Sequence, residues 1–214
     1  MVVLAAPVLE NIRLLDAVRP HLAPSAVVTD TGSTKAAIVD AADGIRFVGG
    51  HPMTGGTASG AEAARPDLFE EQHWILTPTA GTPSAAVDVV SALVRTLGAR
   101  VTLLDPNEHD RILALVSHLP QLAVSALMDA VGSAAGAAGL ALAGPGLRDS
   151  TRLAGSAPGI WRDVLATNRA PIVAALDRLI AGLTRLREDG DGAELTRIFE
   201  SAVAWKQAMD ERPL

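Results

Sequence analysis

Gly50-His51-Pro52-Met53-Thr54-Gly55 is the stretch best suited to moving a proton. His51 follows the apolar run Arg46-Phe47-Val48 and a glycine pair, so it is expected in a loop at a strand's carboxyl end, where ligands of open α/β sheets collect. An imidazole titrating near neutrality can take a proton there, although a loop His by itself more often caps a turn. Arg148 and Arg152 are four apart and would share a helical face, which suits an anionic ligand because guanidinium binds carboxylate in bidentate fashion. A solvated charged face, with Asp149 pairing a neighbouring Arg, is the alternative. His118, beside Pro120 on an apolar helix, reads by itself more often as a satisfied, half-buried core His than as a site residue. His109 follows a helix cap, where a capping or packing role is expected. No His pair at metal-ligand spacing and no G-x-S-x-G elbow occurs, which argues against a metal site and against serine hydrolysis at Ser33 or Ser117.

The elements that must hold these residues alternate in the first half. Apolar runs predict strands at Val2 to Ala5, Ala26 to Thr29, Arg46 to Val48, Trp74 to Pro78 and Val101 to Leu104. Helices are predicted over Leu9 to Leu22, Ala36 to Ala42 and Ser84 to Leu97, with Gly98 as the last one's stop. This is an α/β layered sheet. At Asp105-Pro106-Asn107-Glu108 the character changes, with Asp at the N-cap, Pro at the first helical position and Glu three residues after the cap. Beyond it no strand pattern recurs. Helices are predicted from Pro106 through Met128 with a kink at Pro120, over Ile172 to Leu186, and around Leu195 to Ala202. The boundary is therefore placed near residue 105, with residues 1–105 α/β and 106–214 all-helical. The Ala/Gly-rich stretch Gly132 to Gly146 suits close helix packing of the kind common at helical dimer interfaces.

A net charge of −6 and a pI near 5.3 speak against a nucleic-acid or anionic-membrane partner, and the absence of cysteine excludes disulfides and thiol chemistry. The apolar start, Met1 to Glu10, has no basic n-region, and Pro7 and Glu10 cut it short, so a cytoplasmic protein is expected.

Four stretches, taken in order and spacing, resemble the prephenate/arogenate dehydrogenase family. They are Asp30-Thr31-Gly32-Ser33-Thr34-Lys35; Gly50-His51-Pro52-Met53-Thr54-Gly55 with Ser59-Gly60; Val116-Ser117-His118-Leu119-Pro120; and Arg148-Asp149-Ser150-Thr151-Arg152 followed by Ser156, Pro158 and Trp161-Arg162-Asp163. The resemblance covers residues 2 to about 168. The sequence departs from it at Gly55-Gly56-Thr57, where the family commonly has an acid, and at Gln121, where it has a second His.

The resemblance implies a Rossmann-like dinucleotide-binding domain followed by a helical dimerisation domain, NAD as cofactor with NADP as the alternative, and a homodimer. It implies oxidative decarboxylation of prephenate, or of arogenate, in tyrosine biosynthesis. His51 would meet the substrate hydroxyl and Ser33 would hydrogen-bond His51. Arg152 would hold a substrate carboxylate, with Arg148, Asp149, His118, Gln121 and Trp161 around the substrate. Ala6, Pro7 and Gly32 would touch the cofactor. A dinucleotide fold of this kind opens with strand, G-x-G-x-x-G and helix, and no such motif occurs in these 214 residues. The first part of the cofactor domain is therefore expected to be missing and NAD binding by the chain as written to be weak. A truncated, non-catalytic dimeric relative stands as the alternative to an active dehydrogenase.

Overall fold

Five short apolar runs pair into one sheet. They are β1 (Val2–Leu4), β2 (Val28–Asp30), β3 (Phe47–Pro52), β4 (His73–Thr77) and β5 (Arg100–Leu103), in spatial order β1-β2-β3-β4-β5. β1, β2 and β3 are mutually parallel, with Leu4 opposite Asp30 and Thr29 opposite Val48. β4 runs antiparallel to β3, and β5 is parallel to β4. The computed structural model of the chain describes residues 1–54, 62 and 64–211, so Gly55, Gly56, Thr57, Ser59 and Gly60 of the family resemblance lie outside the described residues.

Alternation along the strands sends neighbouring side chains to opposite faces. Val28 and Phe47 pack with Leu4, Leu15, Ile38 and Ala42 under the helices α1 (Val8–Val18) and α2 (Ala36–Ala41). Val27 and Val48 pack with Trp74, Leu76, Val90 and Val94 under α3 (Ser84–Thr96). Leu15, Ile38 and Leu76 are fully buried, each worth on the order of 1.5–3 kcal/mol relative to exposure. At the junction of β2, β3 and β4 the backbones come close. A Cβ on Gly50 would sit 2.5 Å from the Asp30 carbonyl oxygen and 3.0 Å from Trp74 Nε1, so only glycine fits there.

After β5 the chain is helical: α4 (Pro106–Leu113), α5 (Leu119–Leu140), α6 (Pro145–Ser150), α7 (Pro158–Thr167), α8 (Arg169–Glu188) and α9 (Ala193–Asp210). Asp105 caps α4, its Oδ1 accepting from Asn107 N at 2.8 Å and Glu108 N at 3.1 Å. The irregularity near Pro120 takes the form of a π-helical turn at Ala114–His118, because Pro120 has no N–H to continue the i→i−4 ladder. A second break falls at Gly136, at φ 60° and ψ −173°, inside the Ala/Gly-rich stretch. Met1–Ile172 and Val173–Leu214 each form a compact unit. Within the second, Arg185 and Arg197 both pair with Glu194 at the start of α9.

Candidate active site

The carboxyl ends of β1, β2 and β3 lie side by side, and buried polar groups tie them together. Asp30 ends β2; its Oδ2 accepts from Gly32 N at 2.8 Å and its Oδ1 from Gly50 N at 2.9 Å. Lys35, fully buried, donates to Asp30 Oδ2 and, at 2.7 Å, to the Gly50 carbonyl. Burial lowers the Lys35 pKa and Asp30 opposes that shift, so a buried ion pair clamps β2 to β3. At the end of β1, Asn11 closes the turn into α1: its Oδ1 accepts from Ala6 N at 3.0 Å and its Nδ2 donates to Leu4 O at 3.3 Å. Pro7 is the exposed N-cap of α1. Ala6, Pro7 and Gly32 thus fall at the ends of neighbouring strands.

His51 is the penultimate residue of β3, not a loop residue, and is 9% exposed. Its Nδ1 lies 2.9 Å from Nε2 of His109, whose Nδ1 is 2.8 Å from Asp110 Oδ1. Asp110 in turn accepts from Lys35 N at 2.7 Å and Ala36 N at 3.0 Å, joining α4 to the start of α2. The His51 pKa is lowered well below its ordinary 6.5, first by burial, then by the neighbouring His109, Lys35 and His118, so the ring is neutral at pH 7. No hydrogen bond joins Ser33 to His51; the expected partner is replaced by His109.

The first turn of α4 aims His109 at the sheet edge, and the π-helical turn places His118 nearby. Asn168 connects the two, its Nδ2 donating to Asp110 O at 2.8 Å and lying 3.2 Å from His118 Nδ1. An amide nitrogen only donates, so His118 Nδ1 accepts and its proton is on Nε2, a buried atom without a hydrogen-bond partner among the described residues. Burial lowers the His118 pKa to about 4, with His109 adding to the shift and Asp110 opposing it. Trp161 meets the His118 ring edge-on at 6.1 Å between centroids. Gln121, one turn beyond His118, donates from Nε2 to Leu153 O at 2.8 Å, and its Oε1 accepts from Ser156 at 3.1 Å. This holds the 3-10 turn Arg152–Gly155 against α5.

Arg152 opens that turn and is exposed, as are Arg148 and Asp149 on α6. The two arginines do not share a continuous helix. α6 ends at Ser150, and Arg152 opens a separate 3-10 turn. The histidines, Asp110, Asn168 and Trp161 therefore form one connected group, and Arg148, Asp149 and Arg152 are not hydrogen-bonded into it. Sequence reasoning gave His109 a capping or packing role and Asp110 none, so their place in the site was missed. Their one local signal was a His-Asp pair just inside a strongly capped helix.

Such a group, with a neutral imidazole between strand ends, can accept a proton and bind a polar, anionic small molecule. The chain matches the family models described as prephenate dehydrogenase, nucleotide-binding domain, over residues 1–103, and prephenate dehydrogenase, dimerization domain, over residues 105–201. It is 34% identical to a prephenate dehydrogenase of Bacillus subtilis over 99% of its own length, and spans 60% of the length of that relative. It is 31% identical to a cyclohexadienyl dehydrogenase of Zymomonas mobilis, over 89% of this chain and 69% of the relative. Its fold superposes with a TM-score of 0.89, at 30% identity, on the prephenate dehydrogenase of A. aeolicus in complex with hydroxyphenyl propionate and NAD+, covering 97% of this chain and 75% of that one. With both domain models matched in sequence order, and with relatives 31% and 30% identical matched over 69% and 75% of their own length, the chain belongs to the prephenate/arogenate dehydrogenase family.

Proposed function

We propose that this chain carries the substrate site of an NAD-dependent dehydrogenase of tyrosine biosynthesis. The enzyme oxidises prephenate at its ring carbinol and releases the ring carboxylate as carbon dioxide, giving 4-hydroxyphenylpyruvate. The observation that carries this reading is His51, a neutral, buried imidazole at the end of a parallel strand with one nitrogen already committed to His109. The bound dinucleotide supplies the hydride acceptor. Ala6, Pro7 and Gly32 lie at the adjoining strand ends, with Pro7 exposed, and these three residues are assigned to its nicotinamide side. NAD is favoured over NADP by the cofactor held by the A. aeolicus relative.

His51 takes the carbinol proton as the carbon–hydrogen bond breaks, and its neutrality at pH 7 keeps it ready to do so. Arg152 holds a carboxylate: its guanidinium is exposed and has no ion-pair partner among the described residues, while Gln121 fixes the turn that carries it. His118 offers a buried N–H donor toward the substrate, and Trp161 packs on its ring. Ser33, half-buried in the β2–α2 loop, lines the same edge, and Arg148 and Asp149 flank Arg152. Arogenate is the second reading. The exposed Asp149 carboxylate beside Arg148 favours it, since it suits the ammonium of an amino-acid side chain.

Residues 1–105 form the nucleotide-binding part and 106–214 the helical part of the cytoplasmic enzyme, which pairs into a homodimer through that helical part. Exposed Val116, Leu127, Leu142, Phe199 and Trp205 support such burial against a second copy. The stretch Pro106–Leu140 contains an 18-residue window of mean hydropathy 1.4 and is long and apolar enough to cross a bilayer, but buried His109, Asp110, His118 and Gln121 lie on it with protein partners. Reduced-cofactor formation by the intact gene product, measured with NAD+ and each substrate in turn, tests the assignment. Turnover of prephenate above arogenate is expected; turnover of neither refutes it.

A further inference from the structure

We propose that His109 and Asp110 are positioning residues that fix the tautomer of His51, turning its bare Nε2 toward the carbinol and sharing the charge it gains. This rests on the reading of His51 as the proton acceptor, and it follows from counting donors and acceptors along the chain of contacts.

Asp110 receives backbone N–H groups on both carboxylate oxygens, Lys35 N on Oδ1 at 2.7 Å and Ala36 N on Oδ2 at 3.0 Å. Backbone amides only donate, so the carboxylate has no proton to offer. His109 Nδ1, 2.8 Å from the same Oδ1, must therefore carry a hydrogen. A neutral His109 then presents a bare Nε2 to His51 Nδ1 at 2.9 Å. Two bare nitrogens cannot bond, so the hydrogen between the rings belongs to His51 Nδ1, and His51 Nε2 is left bare. A doubly protonated His109 would reverse this order and put a hydrogen on His51 Nε2. That would place a second buried cation beside fully buried Lys35, whose charge is already paired with Asp30.

The same contacts serve the charged state. When Nε2 of His51 takes the substrate hydroxyl proton, the ring is an imidazolium with hydrogens on both nitrogens. Passing the Nδ1 hydrogen to His109 Nε2 leaves His51 neutral and moves the positive charge one ring further, next to the Asp110 carboxylate. One proton leaves the substrate oxygen, one crosses between the rings, and the number of protons is unchanged. The groups facing this path are Asp110, Lys35 with Asp30, and His118; only Asp110 offers a negative charge in direct contact with His109. His109 and Asp110 thus take the orienting role that Ser33, unbonded to His51, does not fill.

The test needs neither substrate nor cofactor. The chain has five histidines, so selective ¹⁵N labelling of the imidazoles and long-range ¹H–¹⁵N correlation at pH 7 resolve each ring's tautomer, with His51→Asn and His109→Gln variants assigning the signals. Expected are a protonated Nδ1 and bare Nε2 on both His51 and His109. A His51 protonated on Nε2, or averaging between tautomers, overturns the proposal whether or not the protein is a dehydrogenase. His109→Gln retains an amide oxygen for His51 Nδ1–H and an amide N–H for Asp110, so it should preserve the His51 tautomer; His109→Leu should release it. In the intact gene product His109→Leu should lower kcat about 10- to 100-fold at nearly constant KM, the range seen when an orienting partner is lost, with most of it recovered in His109→Gln. Equal loss in both variants, or a change confined to KM, contradicts the proposal. If His109→Leu does not fold, the wild-type tautomers still decide.

Discussion

Lys35→Met isolates the buried ion pair that clamps the strand ends. Methionine matches the lysine stem in length but brings no charge and no donor. The change removes the charge-assisted bond to Asp30 and leaves the Gly50 carbonyl without its 2.7 Å donor. Among the described residues Asp30 keeps Gly32 N and Gly50 N as donors, and both Asp30 and Lys35 side chains are fully buried, so no solvent replaces the lost cation. Breaking a buried pair by deleting one partner costs about 3–5 kcal/mol, against the modest cost of losing an exposed pair. For a chain of this size that is a fall in Tm of roughly 6–20 °C. Urea unfolding of wild type, Lys35→Met, Asp30→Asn and the double variant measures it, and the double variant should lose less than the sum by at least about 1 kcal/mol. A Lys35→Met loss below about 1 kcal/mol, or strict additivity, would refute the view that this pair holds β2 and β3 together.

Three further outcomes are expected. His118 is held neutral when folded, so its share of stability is complete above pH 6.5 and lost as the pH falls toward about 4. The loss is about 3 kcal/mol, with His51 acting in the same direction; urea midpoints between pH 7 and pH 4.5 check it, and His118→Gln should flatten the slope. Gly50→Ala places a methyl 2.5 Å from the Asp30 carbonyl oxygen, a backbone atom that cannot step aside, and should cost about 1–3 kcal/mol by the same unfolding assay. Arg152→Gln should raise the apparent substrate constant with little change in kcat, because a carboxylate contact is used in ground and transition states alike.

The fold was readable where signals are local. The apolar runs of the strands and the Asp105-Pro106 cap each carry their own physical reason, and they predicted the elements within a few residues, whereas Gly49-Gly50, read as leading into a loop, lies inside β3. The order of the strands was not read, and the antiparallel β3–β4 pairing has no short-range mark. The site was legible as a set of residue types, and the family resemblance supplied the roles. What escaped were the partners: His51 and His109 are 58 residues apart and His118 and Asn168 are 50 apart, so no spacing rule connects them. Lys35 read as part of a polar turn because a lone lysine gives no sign that Asp30 will be buried with it. The shared helical face assumed for Arg148 and Arg152 failed because α6 ends at Ser150 and Arg152 opens a separate 3-10 turn, a break that a spacing of four does not announce.

The central claim is that His51 accepts the substrate's hydroxyl proton, and steady-state kinetics of His51→Asn in the intact gene product, with NAD+ and prephenate, test it most directly. Asparagine keeps a polar contact to the hydroxyl but cannot take its proton. The account predicts turnover lower by roughly two to four orders of magnitude with the substrate constant nearly unchanged. Turnover preserved, or a change confined to the substrate constant, would contradict it.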